Sequence, residues 1–224
     1  MLKRTKIFYD SEFTGLHQDT TLISLGIISE CGKQFYAEFI DYDDLQVDDW
    51  LEEHVIANTL WLKDFDRSSL DIKTIKNAIY RNGWNLNTGI YEVCGDTNTV
   101  KDGLITWLTQ FEKVVLYSDV LAYDWVLFNN IFGHAFKIPE NVFYIPLDIA
   151  TLFELIEGDA DMCRLDYVDM SDIKGQQHNA LFDAIMIKRC YEKLIAKYNQ
   201  LITPDKIIEV TNMGPSDLSS LLAK

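Results

Sequence analysis

Cysteine and proline are both scarce in this 224-residue chain, with four of each. Cys31, Cys94, Cys163 and Cys190 are scattered and form no CxxC or Cys/His spacing. That argues against a structural zinc site and against a disulfide framework, and leaves packing as their role. Long apolar runs are also missing. The N-terminus is basic, but the hydrophobic stretches behind it are short and interrupted by charge, so neither a signal peptide nor a spanning segment is expected, and the expected location is the cytoplasm. Positive charge is in short supply as well: 20 Lys and Arg stand against 35 Asp and Glu, a formal net charge of -15. Proteins that grip long duplexes neutralise phosphates with basic patches, which this composition does not favour. Part of the negative charge then reads as a metal site and the rest as solvated surface.

What is plentiful is core material. Hydrophobic residues make up 48% of the chain and aromatics 12%, enough for one sizeable core. Residues 1–200 are expected to form one domain. The tail 201–224 reads as one or two short helices broken at Gly214-Pro215. Period-two patterning predicts a meander of three strands, at 5–12, in TTLISLGIISE and in QFYAEFI, with a turn at ECGK. Helical spacing follows in DDWLEEHV, with Leu51, Val55 and Leu62 as core positions; Asp43, Asp44, Asp48 and Asp49 there suit caps and first turns. Region 64–98 is polar and reads as loops around a short helix. A helix from Thr99 to Glu112, strand VVLYS, a helix in YDWVLFNNIFG, a strand near NVFYIPL and a helix in DIATLFELIE come next. A long loop over 158–177 precedes a last helix from about Ala180 to Tyr198, with Leu181, Ala184, Ile187, Tyr191, Leu194 and Tyr198 at helical spacing. Strands first and alternation afterwards predict an α/β fold, a mixed sheet with helices on its faces and strand one near its middle.

The stretch FYDSEF breaks this pattern of buried strands. Phe8, Asp10 and Glu12 share one face of the strand, while Ile7, Tyr9 and Phe13 share the other. Two carboxylates on one face of an interior strand repel and lose hydration unless something compensates, and a cation does so. Two further stretches carry acids on core-facing elements. In QQHNALFDAI, His178 and Asp183 are offset by about 140° on a regular helix, so they converge only if the helix starts after His178, with Asn179 as its N-cap. In YSDVLAYDWVLF, Asp119 ends a strand and Asp124 opens a helix; Asp124 points inward with Phe128 and Ile131 and is favoured over Asp119 as the functional acid. Asp148 reads as a helix cap.

DSEF, the Asp in AYDWV, and HNALFDA resemble, in order and spacing, the three motifs of the DEDDh 3'-to-5' exonucleases, relatives of oligoribonuclease and RNase T within the ribonuclease H-like superfamily. The likeness runs over roughly residues 5–195 and is nearest to a small bacterial and phage exoribonuclease branch. One position departs: the second motif carries Asp119 and the pair Tyr123-Asp124 where the family has Asn and a Phe-Asp pair. The resemblance implies a ribonuclease H-like mixed sheet and an enzyme, a hydrolase that removes nucleotides from 3' ends. It also implies two Mg2+ or Mn2+ ions, hard cations that take oxygen ligands. Asp10 would bridge them, and Glu12, Asp124 and Asp183 would complete the set, Glu12 also reaching the terminal ribose. His178 would take the proton from the attacking water. The expected partner is a nucleic acid 3' end, RNA by preference, and the family suggests a homodimer.

Phe13 and Leu16, just after the first motif, are candidate base stackers, and for Phe13 core packing is an equal reading. Taken singly, each acid has a modest explanation, such as Asp183 pairing with Lys188 or Arg189; jointly, the ordered set favours metals. His17, His54 and His134 read as surface or core residues, and Lys188, Arg189, Lys193 and Lys197 as a solvated face. A DNA exonuclease of the same mechanism and a non-catalytic nucleic-acid-binding scaffold are the two alternatives.

Overall fold

Seven strands make one mixed sheet in the computed structural model, which describes residues 4–64 and 81–201. The strands are β1 (Thr5–Phe13), β2 (Leu22–Ser29), β3 (Gln34–Phe39), β4 (Arg81–Trp84), β5 (Ile90–Gly95), β6 (Val114–Ser118) and β7 (Leu147–Asp148), in the order β4-β5-β3-β2-β1-β6-β7. β1, β2 and β3 form the expected antiparallel meander, and β6 and β7 continue it in parallel on the far side of β1. The helices are α1 (Asp49–His54), α2 (Thr97–Leu108), α3 (Ala122–Ile131), α4 (Ile149–Glu157), α5 (Arg164–Tyr167) and α6 (Ala180–Leu201). This is the α/β class that the sequence predicted, a mixed sheet with helices on both faces and β1 near its middle.

Alternation along β1 explains why helices cover both faces. Ile7 and Tyr9 point into a core shared with Val100, Leu104 and Trp107 of α2 and Phe128 of α3. Phe8 points the other way, into a core with Phe153 of α4 and Ala184, Ile187 and Leu194 of α6. Each large apolar side chain so buried contributes about 1.5–3 kcal/mol. A third cluster gathers Leu51, Val55 and Leu62 with Ile23 and Ile40, as the spacing predicted. Asp48 caps α1 by accepting from the Leu51 N–H at 2.8 Å, and Asp43 accepts from the Leu45 N–H at 3.1 Å. No helix among the described residues is long and apolar enough to cross a membrane.

Several elements differ from expectation. Part of region 64–98 is a hairpin, β4 and β5, rather than loops; residues 65–80 lie outside the described residues. β4 is a polar edge strand and so carries no alternation to read. α2 starts at Thr97 because the Asp96 carboxylate accepts from the Thr99 N–H at 3.0 Å, and it ends four residues early. Its last carbonyls are met instead by Asn141 Nδ2, at 2.9 Å from the Leu108 oxygen. The strand expected in NVFYIPL shrinks to a single bridge at Val142 and the two-residue β7, since Pro146 has no N–H to extend a ladder. Within 158–177 a short helix, α5, interrupts the expected loop. Tyr198 is exposed rather than part of the α6 core face. The expected helices of the tail lie outside the described residues.

Gly26 sets how close α6 comes to the sheet. It pairs with Asp10 across β1 and β2, and a Cβ placed on it would lie 2.2 Å from the Ala180 carbonyl and the Leu181 nitrogen. Only glycine allows the helix N-terminus to rest on the strand there.

Candidate active site

Beyond Phe8 the same face of β1 presents Asp10 and then Glu12, and the N-terminal turn of α6 presents Asp183 opposite them. Asp10, Glu12 and Asp183 each offer a carboxylate oxygen, and these oxygens lie within 4.8 Å of one another. Asp183 is 8% exposed; its Oδ2 accepts the His178 backbone N–H at 2.8 Å, while Oδ1 is buried without a hydrogen-bond partner. Lys188 pairs with Glu192 at 2.6 Å and Arg189 with Asp172 at 2.7 Å, so neither reaches Asp183. Lys193 donates to the Tyr167 carbonyl and Lys197 pairs with Glu157, which ties this basic face to the chain itself.

Withdrawal from water raises every one of these carboxyls, and crowding of like charges adds to it at Asp10 and Glu12. Burial lifts Asp10 well above the carboxylate range, and the charges of Asp124, Asp183 and Glu12 lift it further. Glu12 is pushed up to about 8 by burial and by Asp183 and Asp124. Asp183 rises to about 7 by burial, against the opposing pull of the His178 N–H. Among the described residues no Lys or Arg pairs with any of the three.

Asp124 is delivered from the other side of the strand. Ser11, between the two acids of β1, points away from them and donates both its N–H, at 3.1 Å, and its hydroxyl to Asp124 Oδ1; Ser118 of β6 donates to Oδ2 at 2.9 Å. These donors hold its pKa to about 6, against burial. Asp124 thus lines the same cavity but stands outside the group of three. A carboxylate has about four acceptor positions, so three donors leave one open on Oδ2. Asp119, the competing acid, is clasped by Arg164 through Nε at 2.7 Å and a terminal nitrogen at 2.8 Å. Asp148 caps α4 by accepting from the Ala150 N–H at 2.8 Å and also holds the Val120 and Leu121 N–H groups.

His178 sits just before α6, as the spacing required, with Asn179 Oδ1 accepting the Phe182 N–H at 3.2 Å. Its φ of 64° is in the left-handed region. The ring meets Trp50 edge-on at 5.1 Å between centroids, and burial together with the charge of His54 lowers its pKa. Phe13 stacks on Tyr123 with centroids 5.6 Å apart, and Leu16, 78% exposed, stands at the rim. Asp10, Glu12, Phe13, Leu16, Asp124, His178 and Asp183 all line one open cavity of about 760 Å³.

Sequence reasoning missed the residues that build this frame. Ser11 and Ser118 carry no motif of their own. Gly26 had a signal, a lone glycine inside the strand LISLGIIS. Asn58 and Trp50, far away in the chain, gave none.

The chemistry of the donor set fits a hard divalent cation: converging carboxylate oxygens, one of them orphaned, and, among the described residues, no ammonium or guanidinium paired with them, Arg164 being taken by Asp119. A family model described as the 3'-5' exoribonuclease Rv2179c-like domain matches residues 5–195. Two Mycobacterium tuberculosis proteins named 3'-5' exoribonuclease, Rv2179c and MT2234.1, are each 32% identical to the chain over 62 residues. The matched stretch is 25% of this chain and 37% of either relative. Among solved structures, the catalytic unit of Neurospora crassa Pan2, with its protease and nuclease domain, aligns with 92% of this chain and 29% of its own. The identity is 16% and the TM-score 0.38.

Proposed function

We propose that this chain, which belongs to the 3'-5' exoribonuclease Rv2179c-like domain family, hydrolyses phosphodiester bonds one nucleotide at a time from RNA 3' ends with the help of divalent cations. The observation that carries this reading is the convergence of Asp10, Glu12 and Asp183 within 4.8 Å, in the cavity that His178 also lines. Those three acids, with the open position on Asp124, would hold Mg2+ or Mn2+. Two such ions, when bound, neutralise phosphate charge, lower the pKa of water and stabilise the departing oxygen.

The protein's own groups do the rest. His178, its pKa lowered by burial, is neutral near pH 7 and has a lone pair ready to take a proton from the attacking water. Ser11 and Ser118 keep Asp124 oriented, and the Arg164 clasp withholds Asp119 from the acids. Phe13, backed by Tyr123, and the exposed Leu16 offer apolar faces to the terminal bases, each base stack being worth about 1–3 kcal/mol. A grip on a few nucleotides by stacking needs little phosphate neutralisation, which reconciles a net charge of -15 with a nucleic acid substrate.

The test uses RNA and DNA oligomers labelled at the 5' end, incubated with Mg2+ or Mn2+ and with chelator. Stepwise shortening of RNA that chelator stops is the expected result. Equal turnover of DNA would remove the preference for RNA, and binding without shortening would leave only a scaffold.

A further inference from the structure

His178 is in the left-handed backbone region, uncommon for any residue with a Cβ, and three hydrogen bonds from its neighbours run to a residue 120 positions away. Asn58 ends the short 3-10 turn Ile56–Asn58, outside the cavity lining. Its Oδ1 accepts Gln176 Nε2 at 2.6 Å, its Nδ2 donates to the Gln177 carbonyl at 3.1 Å, and its own carbonyl accepts Asn179 Nδ2 at 2.8 Å. The two residues before His178 and the one after it are therefore all tied to one asparagine. His178 itself adds its N–H, to Asp183 Oδ2 at 2.8 Å, and the edge-on contact of its ring with Trp50. Without the three outer bonds, a left-handed histidine at the end of the connection has only the Asp183 bond and the Trp50 edge contact to keep its ring aimed at the cavity, since that region is disfavoured for residues with a Cβ.

We propose that Asn58 is a positioning residue for His178, holding the Gln177 carbonyl just before it and the side chains of Gln176 and Asn179 on either side, so that the imidazole faces the metal-binding acids. This rests on the reading of His178 as the proton acceptor. The chemistry of the asparagine is specific to the task. One side-chain amide both accepts from Gln176 and donates to the Gln177 carbonyl, which neither an aspartate nor an aliphatic residue of the same size can do.

The experiment measures kcat and KM for RNA shortening, together with Mn2+ affinity by calorimetry, in Asn58→Ala, Asn58→Asp, His178→Ala and the double variant Asn58→Ala/His178→Ala. Asn58→Asp keeps the volume and the acceptor for Gln176 but turns an acceptor toward the Gln177 carbonyl, so it serves if the alanine variant folds poorly. Both single Asn58 variants are expected to lower kcat by about 10-fold or more, up to the loss seen on removing His178, because general-base catalysis is worth about 10²–10⁴-fold. KM and Mn2+ affinity stay within twofold, since the acids lie on β1, α3 and α6. The double variant is expected to be no slower than His178→Ala alone. Wild-type kcat in both Asn58 variants overturns the proposal. So does a further drop in the His178→Ala background, which would show Asn58 acting on the fold at large. Full activity of His178→Ala would sink the reading of His178 as base, a failure distinct from the other two, and the role of Asn58 would fall with it.

Discussion

Gly26→Ala is the most economical perturbation of the site, because it touches none of the acids. A Cβ at position 26 would meet the Ala180 carbonyl and the Leu181 nitrogen at 2.2 Å, where ordinary contact begins at 3.4 Å. All of these are backbone atoms, so no side-chain rotation relieves the overlap; α6 must move off β2, or the strand must bend, by roughly 1.2 Å. Asp183 rides on the first turn of that helix, while Asp10 sits on the neighbouring strand as the partner of Gly26. The displacement therefore goes straight into the Asp10–Asp183 separation. Overpacking of this kind costs about 1–3 kcal/mol of stability. A misplacement of about 1 Å at a reacting centre costs about 10²-fold in rate, equivalent to about 2.7 kcal/mol of activation free energy. Single-turnover RNA shortening, Mn2+ calorimetry and urea unfolding would read all three effects. The expected variant is folded, slower by about two orders of magnitude and weaker for Mn2+. A variant with wild-type rate and wild-type Mn2+ affinity would refute the claim that this glycine sets the geometry of the acids.

Three other outcomes follow from the same structure. Asp10→Ala removes the acid most crowded by its neighbours, so turnover is lost while the melting temperature in chelator holds or rises; retained activity would remove Asp10 from the site. In chelator, Glu12 at about 8 and Asp183 at about 7 stand above their unfolded values near 4, so the folded chain binds more protons in between. The stability present below pH 4 is then lost as pH rises through about 7 to 8. The chelated melting temperature should fall between pH 5 and pH 8.5 and Mg2+ should restore most of it, whereas a flat or rising profile would contradict the crowding. Glu38, fully buried on β3, accepts from the Tyr36 hydroxyl at 2.8 Å and from the N–H groups of Leu60, Trp61 and Leu62. Glu38→Ala strands those donors at about 1–3 kcal/mol each, so urea unfolding should report a loss of roughly 3 kcal/mol or more; a loss under about 1 kcal/mol would count against this latch.

The parts of the fold legible in the sequence are those where period and burial coincide. β1, β2, β3 and β6 stand out as short apolar runs because both of their faces are buried, and helices α3, α4 and α6 recur cleanly because each packs one face on a core. β4 was hidden because an edge strand has no buried face to write a pattern, and β7 because a two-residue strand has no period at all. The acids themselves were legible because a carboxylate on a core-facing position conflicts with its surroundings, and FYDSEF and HNALFDA state that conflict openly. Their supports were not: Ser11, Ser118, Gly26 and Asn58 act through contacts across as many as 121 positions, and a serine or asparagine in such a place looks like any other.

The account stands most directly on whether Asp10, Glu12, Asp124 and Asp183 hold cations. Crystals soaked in Mn2+ and measured for anomalous scattering should show two peaks about 4 Å apart, bridged by Asp10 and lying between β1 and the start of α6. Density confined to other parts of the surface, or a cavity without a peak at saturating Mn2+, would contradict it.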